Sequence, residues 1–95
     1  MKIQILEGAE HDLTKGYYFY EAQERGLGDY FLDTLYSDID SLQLYAGIHP
    51  RYFGYHRVLS KRFPYAIYYQ VVSEYVQIWA VLDCRQDPSN ILKRL

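Results

Sequence analysis

Apolar and polar residues alternate from Lys61 onward. Phe63, Tyr65, Ile67, Tyr69 and Val71 face one way; Arg62, Pro64, Ala66, Tyr68 and Gln70 face the other. A period of two marks a strand with two distinct faces. Tyr75 to Asp83 reads as a second strand after a turn at Ser73-Glu74. A two-residue turn sets Val71 against Val76, Tyr69 against Ile78, Ile67 against Ala80 and Tyr65 against Leu82. All four pairs are apolar or aromatic, and a one-residue slip would mix the faces. Upstream, Tyr52 to Ser60 reads as a strand. A tight turn at Ser60-Lys61 then faces Val58 with Phe63 and His56 with Tyr65.

The first half has helical spacing. After a short strand over residues 2 to 6, Gly8 opens a helix with Ala9, Leu13, Tyr17 and Tyr20 as its buried stripe. Glu10 and Asp12 suit its N-terminal dipole. Gly26-Leu-Gly28 breaks the run, and Asp29 is a cap for a second helix. Leu27, Phe31, Leu35, Ile39, Leu42 and Ala46 form its stripe, ended by Gly47. So short a break folds the helices into an antiparallel hairpin. Asp33, Asp38 and Asp40 fall off the stripe and read as a solvated face. Asp87-Pro88 is an N-cap followed by a first-turn proline, which predicts a short helix over Pro88 to Arg94. The expected fold is an α+β two-layer domain over residues 1–95: strand, helical hairpin, three-stranded antiparallel meander and short C-terminal helix. The meander strand that the first strand joins is left open.

Composition narrows the function. The 95 residues suffice for one core, and 49% hydrophobic content is that of a globular chain. A net charge of −2 argues against a general nucleic-acid binder, so any basic patch must be local. One cysteine, Cys84, excludes an internal disulfide or a cysteine-built metal site. Met1-Lys2 leads into a short apolar run and then charge, unlike a secretory leader, and no run reaches membrane-spanning length. The expectation is a reduced, cytoplasmic domain without cofactor or metal. His49 and His56 lack a third ligand in the sequence, and Cys84 lacks a base.

The predicted registers place Pro64 beside Asp83, which brings Arg62 to the same sheet end as Arg85. Arg57 joins them on the outer face, and Lys61 lies in the adjoining turn. On that reading the basic cluster binds a phosphate or an acidic partner, or else Arg62 and Arg85 simply pair with Asp83 and Asp87. Tyr68 and Trp79 pair across the outer face and offer an aromatic patch if no helix covers them.

Three stretches resemble the RelE/ParE superfamily of toxins from type II toxin–antitoxin modules, nearest its ParE-like or plasmid-stabilisation branch. They are Arg62-Phe-Pro-Tyr-Ala-Ile-Tyr-Tyr69, Ile78-Trp-Ala-Val-Leu82 with Arg85 and Pro88, and Gly26-Leu-Gly28 with Phe31-Leu32 and Leu35. The resemblance runs from about residue 8 to residue 88. It implies a toxin that stops growth when free and is silenced by a cognate antitoxin in a hetero-oligomer. ParE-type members act on DNA gyrase, whereas RelE-type members enter the ribosomal A site and cut mRNA. The resemblance makes Lys61, Arg62 and Arg85 catalytic candidates if the chain is a nuclease. Arg57, Arg62, Tyr68, Trp79 and Arg85 are partner-binding candidates.

Cleavage by 2′-hydroxyl attack needs a proton acceptor, a proton donor and charge stabilisation at the phosphate. Asp83 stands where related sequences commonly carry histidine, and no histidine or tyrosine follows Tyr75. Together with the acidic balance this favours a ParE-like, target-binding toxin over a ribosome-dependent endonuclease. A toxin-fold protein that has lost toxicity but still binds antitoxin remains a third alternative.

Overall fold

The computed structural model describes residues 1–95. Strand β1 (Lys2–Ile5) precedes helices α1 (Glu7–Glu21), α2 (Leu27–Asp40) and α3 (Leu42–Tyr45). Strands β2 (Arg51–Tyr52), β3 (Tyr55–Leu59), β4 (Tyr65–Val72) and β5 (Tyr75–Asp83) follow, then helix α4 (Pro88–Arg94). The strands form one five-stranded mixed sheet in the order β1-β5-β4-β3-β2. The open question about the first strand is thereby answered: β1 runs parallel to β5, with Ile3 beside Val76 and Ile5 beside Ile78. No helix is long and apolar enough to cross a membrane.

The helical hairpin covers one sheet face. Leu13, Phe31, Leu35, Ile39 and Leu42 are buried against Ile67, Tyr69, Val76 and Ile78. Close approach of α1 and α2 requires two glycines. A methyl on Gly16 would meet the Phe31 ring at 2.4 Å, and one on Gly28 would meet the Tyr17 carbonyl oxygen at 2.7 Å. The N-terminus of α2 is capped by neither Asp29 nor its own N-cap residue, Gly26. Glu21 does this from the end of α1, accepting from the N–H groups of Gly26 at 3.1 Å and Gly28 at 2.9 Å. The expected second helix breaks at Ser41, whose hydroxyl donates to the Asp38 carbonyl at 2.6 Å, so Leu42 and Ala46 pack from a separate turn, α3. At the C-terminus Asp87 accepts from the Ser89 N–H at 2.9 Å above Pro88, as its capping chemistry predicts.

Three strand expectations are corrected. The Tyr52–Ser60 run is two strands, because Phe53 and Gly54 turn the chain with φ of 56° and 86°. The Ser60-Lys61 turn is a longer Ser60–Pro64 loop, so Val58 pairs with Ile67 rather than Phe63, and His56 with Tyr69 rather than Tyr65. The slide is even, so the faces survive it. The loop forms because Phe63 leaves the ladder to pack against Tyr20, Tyr30 and Phe31. Finally, the β4–β5 register holds at Val71–Val76 and Tyr69–Ile78 but skips Trp79, after which Tyr68 pairs with Ala80 and Ile67 with Val81. This bulge turns Val81 rather than Ala80 into the helix-side core.

The other sheet face is partly covered. Ala66, Tyr68, Ala80 and Leu82 pack with Ile91 of α4. Since β1 ends opposite Ile78, the Val81 N–H faces an open edge, and the buried Asp12 of α1 accepts it at 3.0 Å. Arg94 of α4 donates to the same carboxylate at 2.8 Å. Burial raises the Asp12 pKa from 3.8, while the Val81 hydrogen bond and the Arg94 charge pull it down.

Two stability outcomes follow from this packing. Gly28→Ala forces a backbone–methyl clash and is expected to cost about 1–3 kcal/mol in urea denaturation. Asp12→Ala strands both the Val81 N–H and the Arg94 guanidinium and is expected to cost about 3 kcal/mol. The pH dependence has a definite sign. A carboxyl with a raised folded-state pKa contributes fully below 3.8 and loses that contribution as pH climbs through the folded value. Asp12→Asn should therefore gain on the wild type as pH rises above 3.8. A gap that stays constant with pH would show that Asp12 is not desolvated.

Candidate functional site

The Ser60–Pro64 loop carries two of the candidate cations, and α2 holds it in place. Asp38 is 4% exposed, not solvated as its off-stripe position suggested. Its carboxylate accepts from the Ser60 hydroxyl at 2.7 Å and the Lys61 backbone N–H at 3.3 Å. Arg62 then points along α2 and donates to the Tyr30 hydroxyl at 2.8 Å, with its guanidinium 5.9 Å from the Tyr30 ring centroid. That hydrogen bond raises its pKa further. Arg62 has no carboxylate partner, and it is not paired with Asp83.

Arg85 has a different environment. It lies back on Asp83 in a two-pronged pair, Nε to Oδ1 at 3.0 Å and Nη2 to Oδ2 at 2.7 Å, and its backbone N–H adds a third bond at 2.8 Å. The hydrogen bond to Arg85 lowers the Asp83 pKa, and Asp83 in turn raises that of Arg85. The structural alternative drawn from the sequence therefore holds for Arg85 and fails for Arg62.

The predicted cluster is thus divided. Arg57 stacks over the Tyr52 ring at 4.1 Å and, with Arg85, bears on Cys84, whose thiol is nonetheless pushed up by burial. Arg62 belongs to the α2 side. Tyr68 is only 1% exposed because α4 packs over it, so it offers no surface to a partner. Trp79, unpaired on the bulge and 36% exposed, leans on Tyr55 with ring centroids 5.7 Å apart rather than on Tyr68.

Sequence reasoning missed the phenols around Arg85. Tyr20 and Tyr65 both lie near enough to Arg85 for its charge to act on their phenols. Burial, then Tyr20 and Asp83, push Tyr65 to about 12, which makes it a poor base near neutral pH. The neighbourhood of the Tyr65 ring, shared by Tyr20 and Phe31, gave no signal in sequence because α1 and α2 meet the sheet there only after folding.

The two histidines meet on Tyr69, four residues further along β4, roughly 13 Å at strand rise. The Tyr69 hydroxyl accepts from the Gly47 N–H at 3.0 Å and lies 2.6 Å from His49 Nδ1. His56 stacks on the Tyr69 ring, and its Nδ1 donates to the His49 carbonyl at 2.7 Å. These contacts fasten the chain after α3 onto the sheet. Burial lowers the His49 pKa below 6.5, with a smaller effect from His56.

Charge is unevenly distributed. Between Asp40 and Glu74 the chain has no Asp or Glu, yet it has Arg51, Arg57, Lys61 and Arg62. All twelve acids therefore lie outside this segment, and β2, β3 and the loop before β4 form a basic region on a chain of net charge −2.

No family model and no curated protein matches the sequence. A solved chain described as "Chromosomal ParDE TA system from P. aeruginosa" is similar in structure, with a TM-score of 0.77 at 19% identity over 85% of this chain and 92% of that one. The shared architecture is the RelE/ParE-like α+β fold that the sequence resemblance implied.

Because His49 is held neutral, its stabilising contribution is complete above 6.5 and is lost as pH falls through its lower folded value. Proton NMR of the imidazoles should show His49 titrating below 6.5, with stability declining over the same interval. Titration at or above 6.5 would mean that the imidazole is solvated.

Proposed function

We propose that this chain is the toxin of a type II toxin–antitoxin pair, ParE-like in action, that inhibits growth by binding a protein target such as DNA gyrase and is silenced by a cognate antitoxin. The observation that carries this reading is the similarity of nearly the whole fold to a chain of a ParDE TA system. The local chemistry supports it. Arg62 donates to the Tyr30 hydroxyl at the surface and no carboxylate is hydrogen-bonded to its guanidinium, an arrangement suited to recognising an anionic group on a partner. The groups beside Arg85 are poorly matched to proton transfer: Asp83 is committed to the arginine, and Tyr65 and Cys84 are both pushed up. Binding therefore fits these residues better than RNA cleavage by 2′-hydroxyl attack does.

A nuclease reading rests on Lys61 and Arg62, which border one pocket with no carboxylate paired to either side chain, since free cations also suit a phosphate.

Induced expression is expected to arrest growth, with filamentation, intact mRNA and loss of supercoiling by purified gyrase. Arg62→Ala should weaken the arrest at least tenfold on an inducer titration without lowering the melting temperature. Arrest accompanied by rapid mRNA cutting at ribosomes would replace this assignment with the nuclease, and unimpaired growth would remove the toxin assignment.

A further inference from the structure

We propose that residues 47–52 are an acid-released strap whose pin is His49. The strap lies locked on the sheet while the imidazole is neutral. It swings off when the imidazole takes up a proton, and the helical hairpin and the strands β1, β5, β4 and β3 stay folded. This goes beyond the function proposed above and does not rest on it.

The strap buries almost nothing. From residue 47 to residue 54 every residue but His49 is exposed, Ile48 at 72% and Tyr52 at 41% among them. Polar bonds hold it instead. The Gly47 N–H and the His49 ring both end on the Tyr69 hydroxyl, and His56 reaches the His49 carbonyl. The Arg57 N–H donates to the Pro50 carbonyl at 2.9 Å. β2 adds the pairs Arg51–His56 and Tyr52–Tyr55, and Arg57 rests on the Tyr52 ring at the surface. The segment turns at a glycine on either side, Gly47 and Gly54, with φ of 93° and 86° and open space where a side chain would stand. Two such turns can absorb a swing of the backbone between them.

Tyr69 makes the lock depend on charge. It is fully buried, and its hydroxyl has one proton to give. The Gly47 N–H occupies a lone pair of that oxygen, so the hydroxyl proton goes to His49 Nδ1, which must be unprotonated to accept it. A proton on Nδ1 turns this acceptor into a donor. The hydroxyl then faces two donors, and its own proton is buried without an acceptor. No carboxylate is at hand for the new charge either. α3, β2, β3 and β4 all lie between Asp40 and Glu74, where the chain has no Asp or Glu. Of their titratable and charged groups, Tyr69 from β4 and His56 from β3 meet His49; the others are phenols and the cations Arg51 and Arg57. Burial, and His56 to a smaller extent, hold the imidazole below its ordinary 6.5 while the strap is locked. In the released strap it returns to water and to that ordinary value. Release therefore becomes about tenfold more frequent for each pH unit below 6.5, until the locked form is itself protonated.

Amide hydrogen exchange followed by NMR on the full chain, from neutral pH down to about pH 5 and corrected for the intrinsic pH dependence of exchange, reads the strap directly. The Gly47 and Arg57 amides, bonded to Tyr69 and Pro50, should lose protection about tenfold per pH unit below 6.5, while the amides of α1, α2 and β5 keep theirs. His49→Asn keeps an acceptor near the place of Nδ1 but takes up no proton, so Gly47 should lose no protection as the pH falls. Tyr69→Phe removes the lock, so Gly47 should exchange freely at every pH. Gly47 protection that stays constant below 6.5 in the wild type would overturn the proposal. So would a loss shared equally by α1, α2 and β5, or a wild-type pH dependence in either variant.

Discussion

One carboxylate ties together three elements that are far apart in sequence. Asp12 reaches from α1 to the Val81 N–H on the open edge of β5 and to Arg94 at the end of α4. Without it, the edge N–H would be buried unpaired beside the core, and α4 would keep only Ile91 as a buried anchor. The carboxylate is desolvated and its pKa is raised, so the tie is made against a solvation cost. The Trp79 bulge lies just upstream, and it is this bulge that turns Val81 to the helix side, where Asp12 can reach its N–H.

A second constraint arranges the surface. Phe63 leaves the strand ladder for the aromatic cluster of Tyr20, Tyr30 and Phe31, and Asp38 receives the loop that this creates. Arg62 is thereby carried onto α2 and Arg85 is left with Asp83. The result is not a single phosphate-sized cluster of cations. It is a set of separated arginines, Arg57 and Arg62 oriented by the Tyr52 and Tyr30 rings and Arg85 by the Asp83 carboxylate. Such a surface is better organised to recognise another chain than to stabilise one developing charge.

The periodic features were legible in the residues. The Tyr65–Gln70 part of the central strand, the hairpin stripes and the Val71–Val76 end of the β4–β5 ladder lie where alternation or helical spacing put them, and α4 starts where the Asp87-Pro88 capping chemistry put it. The fold class followed, because apolar stripes on two helices and one sheet face have few ways to bury one another. The site was less legible. Arg57, Arg62 and Arg85 were identifiable by type, but their grouping depended on registers that the loop and the bulge altered. Tyr68 looked like a surface aromatic until α4 covered it, and Asp38 looked solvated until the loop folded onto it.

The difference has a physical cause. Alternation and helical spacing are local, since each residue reports the face on which its own backbone puts it. They therefore specified the core face of β3 and β4, which an even slide in register left intact, but not that of β5 beyond Trp79, where the bulge put Val81 in place of Ala80. The pairing of β1 with β5, the release of Phe63 from its strand and the capture of Val81 by Asp12 are agreements between segments distant in sequence. Only tertiary structure decides these, because each is settled by which polar group would otherwise be buried without a partner and which ring would otherwise leave a void.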